Sequence, residues 1–367
     1  MYKLEFTLKQ HTPIIHFQHE QDGATLRATE VKPKLDRFII EKLTGQFGNN
    51  AFELFKANPL WKNWLIGNGE HPALDYKLKI ESDGEILNSK IEKNYPNYLG
   101  NMGKTPDNKG FVINQSTFVS IFVINNDLKE KITQYFSLFL SRTNFGNRTS
   151  KGFGCFSLFD NSETNFEKEL LENFGTVFKY IWKNSTVDLV EDNKYLFRKI
   201  QDEYKVLKAG DSRSKKDSKL RQYVNKLPVP LEWEKPVIQT DIQSFTPNRL
   251  NINWKNKNFY YVRALLGLAD HFEFIQQKVT VHFTPLDKNF ERFASPLIFK
   301  VFDKNLYLTV NNNHNLNQIR RKEIKITYKQ NERDVKGVEN TLKIPDIDFN
   351  INEFLNDALK NTSWKKL

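Results

Sequence analysis

The sequence predicts an α+β protein, and three observations lead to this prediction. Residues 2–9 and 73–81 alternate between polar and apolar side chains, which is typical of half-buried β-strands. Residues 126–143 carry apolar side chains at helical spacing instead. Across residues 1–160 the elements follow one another as strand, helix, strand, strand, helix, strand. This order is the split βαβ, or ferredoxin-like (RRM-like), arrangement.

Each element of this first unit has its own signal in the sequence. The expected elements are, in chain order, a strand at 2–9, a helix through Leu35, Phe38, Ile39 and Leu43, strands at 73–81 and 118–124, a helix at 126–143 and a strand at 155–159. Pro33 suits the first turn of the first helix, where its missing N–H costs no hydrogen bond. Residues 82–116 are polar and rich in turn formers, and they predict a long loop.

The whole chain predicts tandem ferredoxin-like domains with a helical and basic insertion between them. The expected boundaries are a first domain at 1–160, a helical segment with a basic loop at 161–226, and a degenerate ferredoxin-like domain at 227–367. Within the insertion, 167–208 has a helical pattern and 209–222 is typical of an exposed basic loop.

The last segment is less regular than the first. Prolines punctuate 227–236 and predict a linker. The expected elements beyond it are a helix within 258–274, strands at 278–284, 295–302, 305–310 and 322–329, and a closing helix at 348–361.

Composition limits the class of protein. Hydrophobic residues make up 39% of the 367 residues, enough for packed cores, and no run approaches the ~20 apolar residues of a membrane span. Cys155 is the single cysteine, so internal disulfides and cysteine-rich zinc sites are excluded. The N-terminus alternates like a strand and does not resemble a signal peptide, and we expect a cytoplasmic protein. A net charge of +11 favours a polyanionic partner, with nucleic acid ahead of a membrane surface.

The stretch GNRTSKGFGCF, from Gly146 to Phe156, joins the expected second helix to the last strand of the first domain. Its glycines permit positive φ and a close approach of backbones, so such a loop can direct N–H groups at a phosphate, with Arg148 and Lys151 adding charge. The alternative is a tight turn with incidental surface charges. The loop is neither a Walker sequence nor a dinucleotide fingerprint.

This loop resembles that of the repeat-associated mysterious protein (RAMP) superfamily, whose members bind RNA in CRISPR systems. The pattern G-x-R-x-x-x-G-x-G falls on Gly146, Arg148, Gly152 and Gly154. Residues 12–39, 263–269 and 291–301 are similar to further segments of the superfamily in type III effector complexes. The chain most resembles the two-domain subunit of type III-B (Cmr) complexes.

The resemblance implies a non-catalytic subunit of an antiviral ribonucleoprotein, with guide RNA, target RNA and other RAMP subunits as partners and with no cofactor, metal or membrane. Phosphate contacts should dominate, because a scaffold must accept any spacer sequence. The residues expected to contact RNA are Arg27, Lys32, Lys34 and Arg37 at the first helix, Gly146, Arg148, Lys151, Gly152 and Gly154 in the loop, and Arg213, Lys215 and Lys216 in the basic cluster. A plain solvated loop is an equal interpretation of that cluster.

Two other functions stay open at this point. A metal-independent endoribonuclease of the same superfamily would use His11, His16 or His19, although these histidines match no zinc pattern and strand-end or loop positions explain them as well. Asp107 lies in the long loop and is better explained as a turn residue than as a catalytic one. The second alternative is a general RNA-binding protein.

Overall fold

The computed structural model describes residues 1–16, 24–67, 70–86, 89–90, 110–182, 193–210, 216–228, 231–245, 259–274, 277–287, 290, 293–311 and 316–367. No helix within these ranges is long and apolar enough to cross a membrane.

Helices and strands both run through the described parts of the chain. The helices are α1 (Ala28–Thr44), α2 (Gly48–Ala57), α3 (Pro59–Lys62), α4 (Asn126–Arg142), α5 (Glu163–Phe174), α6 (Asn193–Lys208), α7 (Lys219–Val224), α8 (Lys235–Phe245) and α9 (Ile351–Leu359), with 3₁₀ turns at Val262–Leu266 and Leu316–Gln318. The strands are β1 (Tyr2–Gln10), β2 (Tyr76–Ile86), β3 (Ser89–Lys90), β4 (Gly110–Phe111), β5 (Asn114–Val123), β6 (Phe156–Leu158), β7 (Val177–Tyr180), β8 (Glu232–Trp233), β9 (Phe259–Tyr260), β10 (His271–Phe274), β11 (Val279–Pro285), β12 (Leu297–Phe302), β13 (Asn305–Val310), β14 (Glu323–Gln330), β15 (Arg333–Asp334), β16 (Asn340–Lys343) and β17 (Trp364–Lys366).

The first unit is a ferredoxin-like sheet with the order β2-β5-β1-β6, in which every neighbouring pair is antiparallel. Alternate residues of the central strands, such as Leu8, Val119 and Ile121, point into the buried core. The core residues of α1 and α4 belong to the same cluster, because both helices cover this one face. The predicted order of strands and helices at 1–160 is confirmed.

The second unit repeats this topology. Its sheet has the order β12-β13-β7-β17, with α6 between its first and second strands and α9 between its third and fourth. In both units the strands, numbered by their order in the unit, lie as second, third, first, fourth. The tandem ferredoxin-like prediction is therefore confirmed.

The second unit takes its first strand from residues that the sequence assigned to a helix. The helical pattern predicted over 167–208 is wrong at Val177–Tyr180, which form β7 and pair with Tyr307, Leu308 and Thr309 of β13. Gly175 ends α5 at a φ of 68°, and the following VFKY is rich in the residue types that strands favour.

A further sheet is inserted into the second unit. Its order is β10-β11-β14-β16-β9-β8, with β15 paired to β14, and it is antiparallel except where β9 pairs with β16 and β8. The helix predicted within 258–274 is wrong, since this segment holds β9, a 3₁₀ turn and β10. The linker predicted at 227–236 instead holds β8 and the start of α8. The closing helix is confirmed as α9.

Helix α1 begins earlier than its apolar spacing predicted. It starts at Ala28 after Arg27, which is in an extended conformation, so Pro33 lies in the second turn and not in the first. Pro33 is exposed, and the helix continues through it to end at Gly45, whose φ is 66°. The earlier start brings Glu30 into the first turn, next to the glycine-rich loop.

Candidate nucleic-acid interface

The beginning of α1 meets the glycine-rich loop at Glu30. The carboxylate oxygen Oε1 accepts hydrogen bonds from the backbone N–H of Gly146 at 2.7 Å and from Lys34 Nζ at 2.6 Å. Lys34 also lies 5.1 Å over the ring of Phe145. The predicted proximity of the first helix and the loop is therefore present, and one carboxylate holds it together.

The glycines of the loop have positive φ, and at two of them the neighbouring backbone also leaves no room for a side chain. At Gly146, with φ of 80°, a Cβ would lie 2.6 Å from the Ile15 carbonyl oxygen. At Gly154, with φ of 69°, a Cβ would overlap the carbonyl oxygen of Phe145. These residues therefore need the conformational freedom of glycine.

The backbone N–H groups of these glycines are used inside the protein. Gly146 donates to Glu30, Gly152 donates to the Thr149 carbonyl at 3.2 Å, and Gly154 donates to the Pro13 carbonyl at 2.9 Å. Each of the three already has an acceptor inside the protein, which leaves none of them directed at a phosphate in this structure. The glycines shape the loop, and its charge must come from side chains.

The inner half of the loop, residues 151–154, packs against the second unit. Phe153 stacks on Phe197 of α6, with ring centroids 3.8 Å apart, and Gly152 faces Ile200 so closely that a Cβ would lie 3.1 Å from its Cδ1. Lys151 forms a parallel bridge with Phe299 of β12. This half of the loop is an interface between the two units.

Lys151 is not the exposed cation that the sequence predicted. Its Nζ is buried without a hydrogen-bond partner and lies 2.7 Å from the ring centroid of Tyr204. Burial lowers the pKa of Lys151 to about 8. The reason is the docking of the loop on the second unit, which turns the Lys151 ammonium inward while the residue as a whole stays half-buried.

A buried polar network fixes the start of the loop. Lys300, fully buried on β12, donates to the carbonyls of Leu140 and Thr143 and to Asn144 Oδ1, at 3.2, 3.1 and 2.6 Å. Asn144 Nδ2 in turn donates to the carbonyls of Thr149 and Phe299. The last carbonyls of a helix lack hydrogen-bond donors within the helix. Lys300, from the other unit, provides a donor to those at the C-terminal end of α4.

Sequence reasoning missed Lys300, although the strand LIFKVF contains a signal for it. A lysine within an apolar strand must reach hydrogen-bond acceptors if it is buried. Burial lowers the pKa of Lys300 to about 8. The identity of its acceptors depends on how the two units pack, which the strand sequence does not contain.

The cations of α1 divide into one that is held inside and others at the surface. Lys32 donates to Asp36 and to the Leu74 carbonyl, both at 2.8 Å, and lies 4.1 Å over the ring of Tyr76. It therefore anchors α1 to the segment that leads into β2 and is poorly placed to contact RNA. Arg37 is exposed and makes no ion pair with a described residue, while Lys34 is partly exposed beside Glu30.

Arg148 lies in the outer half of the loop, residues 146–150. It has a φ of 58°, in the left-handed region that few residues other than glycine adopt, and its side chain is partly exposed. Arg27 precedes the first turn of α1 and is also partly exposed. Arg148 thus follows two residues after Gly146, whose N–H binds Glu30, while Arg27 and Lys34 lie within about one helical turn of Glu30 and Arg37 lies farther along α1.

The basic cluster is described only in part. Arg213 and Lys215 lie outside the described residues, and Lys216 is exposed. Arg221, farther along, pairs with Asp217 at 2.8 Å.

The histidines considered for catalysis have different surroundings. His11 is buried at the end of β1, where Nδ1 accepts the N–H of Asp303 at 2.9 Å and Nε2 lies 2.9 Å from Ser157 Oγ. Desolvation lowers the pKa of His11, against the opposing effect of Asp303. Both ring nitrogens are engaged, so His11 joins the two units and is not placed to act on a substrate.

His16 is less tightly held. Its Nε2 is buried without a hydrogen bond and lies 3.8 Å from Glu30 Oε2, and desolvation lowers its pKa. His19 and Asp107 lie outside the described residues. Within the described ranges, no group of three or more His, Cys, Asp or Glu side chains could hold a metal ion. Cys155 is buried at 0% exposure, as expected for a small apolar residue.

Two ferredoxin-like units, of which the first carries a glycine-rich loop before its last strand, define a two-domain protein of the RAMP type. Models of the Cmr1 N-terminal domain and the Cmr1 C-terminal domain match residues 1–211 and 215–366. The chain belongs to the Cmr1 family. It is therefore a two-domain subunit of a type III-B (Cmr) complex, as the sequence resemblance implied.

The junction of the two family models lies inside the predicted middle segment, 161–226, and the predicted three-part division of the chain stays a prediction. Among curated proteins, no sequence matches the chain.

Solved structures provide distant likenesses. Cmr1 from Pyrococcus furiosus in its apo form is 10% identical with a TM-score of 0.43, and the match covers 100% of this chain and 98% of that one. A chain of the type III-B Cmr-beta complex bound to cognate target RNA and AMPPnP is 9% identical with a TM-score of 0.39, and 97% of each chain is covered. The family assignment does not depend on these likenesses.

Proposed function

We propose that this chain is a non-catalytic subunit that binds the sugar–phosphate backbone of RNA, either the guide RNA or its duplex with target RNA. Binding takes place on the α1–loop surface, which consists of Arg27, Lys34, Arg37 and Arg148. Other RAMP subunits of the complex flank the chain, which acts in the cytoplasm.

The observation that carries this proposal is the junction between Glu30 and the Gly146 N–H. It fixes the outer half of the loop beside the first turn of α1, so cations from two distant parts of the sequence share one surface. A helix N-terminus adds a favourable field for phosphate. The net charge of +11 agrees with a polyanionic partner.

Membership of the Cmr1 family supports RNA as the polyanionic partner. A subunit that holds guide RNA in a fixed position must tolerate every spacer sequence, and backbone contacts do this because they carry no base information. A nuclease that acts through His11 is disfavoured, since His11 has partners at both ring nitrogens.

The first experiment identifies the RNA. The chain is purified from cells that contain the complete CRISPR locus, and the RNA that accompanies it is sequenced. We expect short RNAs that share one repeat-derived tag and differ in the remaining sequence. RNAs without a common tag would contradict the proposal and favour a general RNA-binding protein.

The second experiment measures the affinity of the purified chain for such a tagged RNA at increasing salt. Each phosphate contact contributes roughly 0.7–0.9 to the slope of log K against log salt. We expect a slope equivalent to about three or four contacts. A flat dependence would contradict binding by charge, and cleavage of the RNA in EDTA would contradict a non-catalytic role.

A further inference from the structure

One face of the first sheet is not covered by α1 and α4. Residues directly opposite on neighbouring strands share a face, and the register places Lys77, Phe122 and Lys3 in one row. Four residues along β5 from Phe122, Phe118 lies opposite Glu81, and Ser120 lies between the two phenylalanines on the same face. This face is opposite to the one that carries Val119 and Ile121 into the core.

Three phenylalanine rings lie on this open face. Phe118 is 42% exposed and Phe159 is 56% exposed, while Phe122 is half-buried beneath Lys3, whose Nζ lies 6.0 Å from the ring centroid. Phe159 continues the register of β6 against β1, since its N–H donates to the Thr7 carbonyl at 2.8 Å. Thr7 lies directly opposite Phe118, so Phe159 and Phe118 flank it.

The surroundings of these rings are polar and contain several lysines. Lys77 makes no ion pair with a described residue, whereas Lys3 and Lys79 pair with Glu5 and Glu81 at 2.7 Å. Such exposed pairs are weak, and their lysines remain available to a stronger anion. At the far end, Lys9 pairs with Asp303 of the second unit.

The spacing of the rings argues for separate ligands and against one apolar contact. Phe118 and Phe122 lie about 13 Å apart along β5, and Phe159 lies two strands from Phe118, about 10 Å away. Thr7 and Ser120 separate them, so they do not form the continuous apolar patch that marks a protein interface. Exposed rings set among lysines are the composition of surfaces on which unpaired bases stack.

We propose that the open face of the first sheet is a second RNA site, in which Phe118, Phe122 and Phe159 stack on bases of single-stranded RNA while Lys3, Lys77 and Lys79 contact its phosphates. Such a site rests on the RNA-binding function proposed above, and it adds the class of RNA, namely unpaired nucleotides. It lies on the opposite face of the sheet from α1.

The test compares the full-length chain with two triple variants. In one, Phe118→Leu, Phe122→Leu and Phe159→Leu keep apolar side chains and remove the rings. In the other, the same three positions become Trp and keep aromatic faces. Affinity is measured by fluorescence anisotropy for an RNA without secondary structure and for a hairpin of equal length and charge. The melting temperature of each variant is measured alongside.

We expect the Leu variant to lose at least about tenfold in affinity for the unstructured RNA, with the hairpin affected less than about twofold. The Trp variant should bind the unstructured RNA as tightly as the parent or more tightly. A Leu variant with parental affinity for unstructured RNA would overturn the stacking site and leave the face to a protein partner. Equal losses for both RNAs would also overturn it.

A third variant distinguishes this outcome from failure of the proposed function. Arg148→Gln removes a cation of the α1–loop surface and leaves the sheet face unchanged. If Arg148→Gln weakens hairpin binding while the Leu variant behaves as the parent, the α1–loop surface stands and the stacking site is wrong. If Arg148→Gln binds both RNAs as the parent does while the Leu variant loses unstructured RNA, the stacking site stands without the α1–loop surface.

Discussion

The two ferredoxin-like units share a topology but differ in the connection between their second helix and fourth strand. In the first unit this connection is the glycine-rich loop between α4 and β6, whereas in the second it is the short turn 360–363 between α9 and β17, which has no glycine. The longer loop provides both a surface beside α1 and the contact with the second unit. One connection thus distinguishes the unit expected to bind RNA from the unit that supports it.

The sheets of the two units also differ, in whether one face or both faces are covered. Strand β5 alternates between buried and exposed residues, because only one face of the first sheet is covered. Strand β13 is buried at every position from Leu306 to Val310, and β12 is nearly so. A sheet covered on both faces has no free face for a ligand, which is why the stacking site is proposed on the first sheet and not on this one.

The largest effect is expected when the loop loses one of its glycines. Gly154→Ala places a Cβ on the carbonyl of Phe145, and the φ of 69° is itself unfavourable to alanine. We expect the free energy of unfolding to fall by about 4 kcal/mol or more, or the protein to be insoluble, as measured by chemical denaturation.

Gly45→Ala is the matched control for this change. Its φ of 66° is similar, but nothing lies within 4 Å of the added Cβ, so only the backbone cost of about 1–2 kcal/mol applies. Equal losses of stability in the two variants would show that the close packing around Gly154 adds nothing to the cost of its positive φ.

A smaller loss is expected when the second unit no longer holds the loop. Lys300→Met removes the donor to the Leu140 and Thr143 carbonyls and leaves Asn144 Oδ1 with only the weak Cys155 thiol donor at 3.2 Å, while it also removes a buried charge. The net cost should be about 3 kcal/mol in chemical denaturation. Lys365→Met, on the exposed side of β17, should cost less than about 0.5 kcal/mol. A parental stability for Lys300→Met would contradict the network.

A still smaller effect concerns pH and the contact between the units at His11. Because its pKa in the folded state is lowered, the unfolded chain binds the proton first as pH falls below about 6.5. The stability that neutral His11 contributes is therefore present above this pH and is lost on acidification.

His11→Asn tests this dependence. We expect the variant to be about 1 kcal/mol less stable than the parent near pH 7.5, with a difference that shrinks towards pH 5. His71→Asn, at an exposed position, should differ little from the parent at either pH. A difference between parent and His11→Asn that grows on acidification would contradict the assignment.

Sequence patterns predicted the fold well where local signals are strong. The alternation at 2–9 and the helical spacing at 126–143 gave the first unit, because each element buries one face. The pattern failed at Val177–Tyr180, since a four-residue strand is too short to show a period and its partner β13 lies far along the chain. The helical pattern also failed at 258–274, where the apolar residues belong to a 3₁₀ turn and two short strands.

The candidate site was predicted in position but not in detail. The glycine pattern located the loop, and the loop does lie beside α1. The sequence could not show that Lys151 turns inward to Tyr204, or that Lys32 is held by Asp36, because both depend on packing between distant segments. Charge alone does not distinguish a cation that faces solvent from one that completes a buried network.

The most direct test of the central claim removes equal charge from the two units and measures RNA affinity. The variant Arg27→Gln, Arg37→Gln, Arg148→Gln changes the α1–loop surface, and the control Lys336→Gln, Lys365→Gln, Lys366→Gln changes exposed positions of the second unit. At physiological salt we expect the first variant to bind hairpin RNA at least about tenfold more weakly, with a salt slope lower by about 2–3. The control should stay within about threefold of the parent, and equal losses in the two variants would contradict the claim that the first unit holds the RNA backbone.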